Sequence, residues 1–192
     1  FDLLDTMGGG NLSLQVHPMT KYIQDQFGMH YTQDESYYFL DADEDEDTYM
    51  YLGVKENVDR EAMERDLRLA EKGEIQFPAE KYVNKVPVKK HDHVAIPAGT
   101  IHCSGKNNMV LEISATPYIF TFKLWDWGRV GLDGIPRAIH VDDGMKNIQW
   151  DRDTAWISNN LVHQEKTVYE AEGVQIERTG LHAMEFIDTY RY

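Results

Sequence analysis

Leu12-Ser13-Leu14-Gln15-Val16-His17 alternates apolar and polar side chains. A period of two is the signature of a half-buried strand, in which residues two apart share a face. Leu12, Leu14 and Val16 therefore form one face, and Gln15 and His17 lie together on the other. An amide and an imidazole placed this way can both point into a barrel. Gly8-Gly9-Gly10, just before the strand, reads as a flexible or close-approach loop.

Outward from this stretch, short β-rich runs recur between turn signals. Tyr37–Leu40 and Thr48–Val54 flank the acidic segment Asp41–Asp47, and the pair is expected to form a hairpin with a charged, solvated loop. The acidic segment lacks the glycine and terminal glutamate of an EF-hand. Val86–Val88, His93–Ile96, Met109–Ser114 and Tyr118–Leu124 read as further strands, with turns at Pro97-Ala98-Gly99 and Ser104–Asn108. Asp59–Lys72 carries the one clear helical pattern, with Ala62, Met63, Leu67 and Ala70 on one side, Asp59 as N-cap and Gly73 as the stop. Residues from Gly131 to Asp153 look loop-like. Val168–Thr179 reads as a hairpin turning at Glu172-Gly173, and Met184–Tyr190 as one more strand. Many short strands and little helix predict an antiparallel barrel or jelly roll.

Bulk properties narrow the function. The 192 residues are 42% hydrophobic, enough for a packed core, and the net charge is −14. So strong an acidic balance argues against general binding of nucleic acid or of anionic membrane, since both need clustered Lys and Arg. A small anionic substrate is compatible with it, because a site's local field can oppose the overall charge. The sequence has one cysteine, Cys103, and so no internal disulfide, which fits a reducing compartment. No apolar run is long enough to span a membrane, and no secretion signal opens the sequence, so a cytoplasmic location is expected. Phe1–Leu4 already looks like buried structure, which is what a piece of a longer protein would show.

Gln15, His17, Glu35 and His102 are the candidate metal ligands. Two imidazoles and a carboxylate suit zinc, and also manganese or iron; an amide oxygen from Gln15 can add a fourth ligand, leaving room for water or a substrate oxygen. These residues are scattered, without zinc-finger spacing, so each also has an ordinary reading as a hydrogen-bonded strand residue. His91 and His93 alternate with Asp92 and are read as a turn leading into a strand. His30, His140, His163 and His182 have no usable partner spacing.

Four segments, in order, resemble the type I, zinc-dependent phosphomannose isomerases. They are Leu12-Ser13-Leu14-Gln15-Val16-His17-Pro18, then Glu35-Ser36-Tyr37-Tyr38-Phe39-Leu40, then Pro97-Ala98-Gly99-Thr100-Ile101-His102. The fourth is Trp125-Asp126-Trp127-Gly128-Arg129 with Asp133-Gly134-Ile135-Pro136-Arg137 and His140. The resemblance implies a mainly β fold, a cupin-type antiparallel jelly-roll barrel with one or two short helices. It implies a barrel over residues 1–143 and a β-rich extension over 144–192, which fits the start of a second barrel only loosely. It also implies zinc on Gln15, His17, Glu35 and His102, and interconversion of mannose 6-phosphate and fructose 6-phosphate through an enediol. In that chemistry a metal acts as Lewis acid, a base moves the proton between adjacent carbons, and fixed cations stabilise charge. Glu112 is the candidate base or shuttle, or else a partner orienting a ligand histidine. It follows His102 across the Ser104–Asn108 turn, so the two strands are expected side by side. The sequence departs from the family in its cations. Lys123 stands where arginine is usual and Gln33 where lysine is usual, and Met19 and Thr20 replace acidic residues. Lys123 keeps the charge but not the bidentate fork. These changes favour, as the competing reading, a non-catalytic metal-containing cupin that binds sugar or regulates. The Trp125–Arg129 segment is expected to be a structural clamp, and Lys89 and Lys90 a solvated turn.

Overall fold

Strand alternation sorts the side chains onto the two faces of two sheets. In the computed structural model, which describes residues 1–116, 118–179 and 187–192, the strands are β1 (Asp2–Asp5), β2 (Leu14–Val16), β3 (Glu35–Ala42), β4 (Tyr49–Val54), β5 (Val83–Pro87), β6 (His93–Ile96), β7 (His102–Ser104), β8 (Asn108–Ser114), β9 (Phe122–Trp125), β10 (Lys166–Ala171), β11 (Val174–Thr179) and β12 (Thr189–Arg191). One sheet has the order β1-β8-β3-β6 and the facing sheet β5-β4-β7-β2-β9, with antiparallel pairing throughout. This is the mainly β, cupin-type jelly roll that the sequence predicts. A third sheet, β10-β11-β12, contains the expected hairpin with its turn at Glu172-Gly173. Of the strand expected over Met184–Tyr190, residues up to 186 lie outside the described residues, as does His182.

Two clusters make the core. Tyr37, Phe39, Met50, Leu52, Ile96 and Val110 fill the space between the two sheets. Leu14, Val16, Tyr51, Cys103 and Leu124 point the other way, off the back of the second sheet, against Met63, Leu67, Val141 and Ile148. That second layer comes from helices α1 (Thr20–Phe27), α2 (Arg60–Glu71), α3 (Ala79–Tyr82) and α4 (Val141–Asn147), whereas α5 (Thr154–Asn160) adds Ile157 to the first cluster. Helix α2 is the one anticipated, with Asp59 capping it by accepting the Ala62 N–H at 2.9 Å. The others are short, and α4 falls inside the stretch read as a loop. Its centre is Gly144, a weak helix former whose missing side chain lets the helix touch the sheet. A Cβ there would stand 2.5 Å from Leu124 Cδ2.

Two expected pairings are not formed. β3 and β4 belong to opposite sheets, so the acidic segment between them is a crossover rather than a hairpin loop. β7 and β8 are likewise in opposite sheets, with β8 paired to β1 and β3. Jelly-roll connections cross between sheets, and turn composition alone does not distinguish a hairpin from such a crossing.

Gly53, in β4, has φ +60, and a Cβ there would meet Arg152 O and Ile157 Cγ2, each at 2.6 Å. Gly28 closes α1 at φ +66 with open space around it. Gly28→Ala should cost about 1 kcal/mol, the left-handed backbone penalty alone. Gly53→Ala adds overpacking and should cost about 3 kcal/mol; equal urea midpoints for the two variants would refute this account of β4.

His93, 2% exposed, is held neutral: burial, with a smaller push from the Arg191 guanidinium, lowers it to about 4. The unfolded chain takes up this proton near pH 6.5 and the folded chain only near 4. Stability contributed by the neutral ring is therefore complete above pH 6.5 and is lost as pH falls from 6.5 towards 4, by about 3 kcal/mol in all. Chemical denaturation at stepped pH should show this slope flattened in His93→Phe.

Candidate functional site

The register of β2 assembles the site. Gln15 lies opposite His102 on one side and Lys123 on the other. Because Leu14 and Val16 pack against the helices, Gln15 and His17 turn inward. Glu35 enters from the facing sheet at the start of β3. His17 Nε2 is 3.1 Å from Glu35 Oε2, and His102 Nε2 is 2.9 Å from Glu35 Oε1. All three side chains are buried.

The ring orientations fix which nitrogen faces the carboxylate. His17 Nδ1–H donates to Phe120 O, and His102 Nδ1–H donates to Thr100 O, each at 2.9 Å. A carbonyl only accepts, so each Nδ1 holds a proton and each Nε2 is turned towards Glu35. The separations around Glu35 are those of hydrogen bonds but the alignment is not, and His17 Nε2 and Glu35 Oε1 are buried without a hydrogen-bond partner. Ligand atoms from His17, Glu35 and His102 all lie within 4.8 Å of one another. Buried polar atoms that converge without bonding each other fit a cation between them, and the donor set of two imidazoles and a carboxylate suits a divalent metal. Histidines held through Nδ1 by backbone carbonyls are the usual outer arrangement of such a centre. The Gln15 amide ends 3.3 Å from His102 Nε2; turned about its last bond, it offers an oxygen at the same place.

Electrostatics follow from this packing. Burial pushes the Glu35 carboxyl up, but the adjoining imidazoles outweigh it and hold the group well below the usual carboxylate range. Burial likewise pulls His17 down, and the Glu35 carboxylate more than reverses it, raising the ring above its ordinary value. Glu112, on β8 opposite Tyr37, is raised to about 7 by burial and by the Glu35 charge. Glu112 accepts hydrogen bonds from Ser114 Oγ at 2.6 Å and from Gln33 Nε2 at 3.1 Å. Lys123 shares the inward face of β9 with no part in the helix layer, and its backbone N–H donates to His140 Nδ1 at 3.1 Å.

The turn before His102 is held from a distance. Arg152 donates to Pro97 O at 2.8 Å and to Ala98 O at 2.6 Å, and the Ala98 N–H donates to Asp34 Oδ1 at 2.6 Å. Thr100, whose carbonyl orients His102, also receives the Arg152 guanidinium on Oγ1. Sequence reading missed Arg152, because no spacing or motif ties it to residues 97–100. Ser114 was open to inference, two residues beyond Glu112 on one strand. The Trp125–Arg129 segment is the clamp expected: Trp127 Nε1–H donates to Leu12 O at 2.6 Å and Arg129 to Asp126 Oδ1 at 2.8 Å, with Arg129 also donating to Asn11 O. Both tie the loop to the start of β2. His91 and His163 remain outside the site, against Tyr38 and Asp92 respectively.

No family model matches the chain. It is 27% identical over 134 residues to the mannose-6-phosphate isomerase of Streptococcus mutans, spanning 70% of this chain and 39% of that protein. With the Bacillus subtilis mannose-6-phosphate isomerase ManA it shares 26% identity over 139 residues, 72% of this chain and 41% of that one. The chain thus spans about two fifths of the length of these curated relatives. Among solved structures, the mannose 6-phosphate isomerase from Bacillus subtilis superposes with a TM-score of 0.76 at 21% identity, over 98% of this chain and 53% of that one. A phosphomannose isomerase from Salmonella typhimurium superposes with a TM-score of 0.60 at 12% identity, over 93% of this chain and 59% of that one. The two solved structures share its fold. In sequence the chain is thus similar to curated mannose-6-phosphate isomerases, and in fold to solved ones.

Proposed function

We propose that the chain forms the metal-bearing part of an aldose–ketose isomerase that interconverts mannose 6-phosphate and fructose 6-phosphate. The observation that carries this reading is the buried convergence of His17, Glu35 and His102 beside a second carboxylate, Glu112, inside the barrel. His17, Glu35 and His102 would hold a divalent ion, with Gln15 as fourth ligand and zinc as the ion the donor set favours. When bound, such an ion supplies Lewis-acid polarisation of the sugar's oxygen atoms.

The remaining work falls to side chains. Isomerisation removes a proton from one carbon next to the carbonyl carbon and returns one to the neighbour, with the compensating shift of a hydroxyl proton. Glu112 is the base proposed for the carbon proton, held in place by Ser114 and Gln33. Lys123 supplies a positive charge on the inward face opposite Gln15, suited to an enediolate or a phosphate. As a point charge it grips less specifically than arginine's fork.

Residues 1–143, which contain every candidate ligand, are proposed as the cupin unit and 144–192 as an extension. The first half of that extension, including α5, packs on the barrel, and its strands form a separate sheet. Among the described residues no helix is long and apolar enough to cross a membrane. A cytoplasmic setting is proposed on the single, unpaired Cys103.

Zinc titration of chelator-stripped protein should give one site per chain, and Glu35→Gln should weaken it by more than about 100-fold. Unchanged affinity in that variant would remove the centre from this carboxylate. In a coupled assay on mannose 6-phosphate, turnover should be chelator-sensitive, and Glu112→Gln should lower kcat by about 10² to 10⁴ with zinc retained. Zinc bound without any turnover would favour the sugar-binding cupin instead.

A further inference from the structure

Gln33 is 2% exposed and its amide is used at both ends. Nε2 donates to Glu35 Oε2 at 2.9 Å and to Glu112 Oε1 at 3.1 Å, with Ser114 Oγ 3.4 Å away. Oε1 accepts the Phe120 N–H at 3.0 Å. Phe120 is the residue whose carbonyl accepts His17 Nδ1–H. A single side chain therefore touches one candidate ligand directly and reaches another through one backbone residue.

We propose that Gln33 is a positioning residue that sets Glu35 and the His17 ring together, by donating to the carboxylate and accepting from the Phe120 backbone. The inference rests on the metal-centre reading above for its consequence, but not for its geometry. Neither lysine nor methionine, of similar length, can do both tasks. Lysine donates and cannot accept, so the Phe120 N–H would be left without its oxygen. Methionine does neither. Glutamate keeps an oxygen for Phe120 in either protonation state. The amide also adds no charge, so the negative charge of Glu35 and Glu112 stays available to a divalent cation.

The test uses metal-free protein with ¹⁵N-labelled histidine, following solvent exchange of the two buried Nδ1 protons. In Gln33→Met the His17 Nδ1 proton should exchange about tenfold faster, the effect of losing one hydrogen bond's worth of order. The His102 Nδ1 proton, held by Thr100, should keep its parent rate and serves as the internal control. Gln33→Glu should leave His17 exchange at the parent rate. Zinc affinity of Gln33→Met, by competition with a chromophoric chelator, should fall about 10- to 100-fold. Parent rates for both rings in Gln33→Met, equal acceleration of both, or acceleration in Gln33→Glu would each overturn the proposal. If Gln33→Met does not fold, Gln33→Lys, which also lacks the acceptor, is read the same way. A parent chain that binds no zinc would sink the proposed function while leaving the exchange measurement able to decide this one.

Discussion

The Glu35 carboxylate, with no solvent exposure and an imidazole on each side, is the constraint around which the barrel is arranged. Removing such a charge from water costs several kcal/mol, and the cost is met only where partners are held in place. The partners here are two rings and the Gln33 amide, and each ring is held by a backbone carbonyl. Those carbonyls are fixed in turn, Phe120 by Gln33 and the turn ending at Thr100 by Arg152. A loosened outer contact therefore reaches the carboxylate through a carbonyl and a ring, and from Gln33 directly as well. The polar end of the barrel is a chain of dependencies, whereas its apolar end is a packed cluster that spreads strain over many contacts.

Much of this was open to reading in the sequence, because strand period is a local property. The alternation over Leu12–His17 fixed which side chains share a face, and the structure turns Gln15 and His17 inward as a pair. The helix over residues 60–71 had both its cap and its apolar stripe in view. What could not be read was which strand neighbours which. Turns such as Ser104–Asn108 look the same whether they join paired strands or cross between sheets, so Glu112 was placed beside His102 when it lies on the opposite sheet. Helix α4 was hidden by Gly144, a residue that argues against a helix locally and is required by the close approach to Leu124. Tertiary contact outweighed propensity there.

The site followed the same division. The candidate ligands came from residue types and a family resemblance, and the geometry brings three of the four together directly. Supporting residues were harder to see, since their roles depend on contacts between remote segments. Gln33 stood out in the sequence as a substitution for a usual lysine, a loss of charge. In the structure it is a doubly satisfied amide between two carboxylates and a backbone donor, a different role from the one a missing cation suggests.

Arg152 adds a constraint in time. It braces the 97–100 turn from about fifty positions further along the chain, beyond every candidate ligand. A nascent chain emerging from the ribosome has all the candidate ligands in hand before the guanidinium that braces the turn ahead of one of them arrives. During that interval the turn before His102 has Asp34 to hold it but not Arg152. The contact that completes this turn is therefore made late in synthesis, after the barrel strands are made.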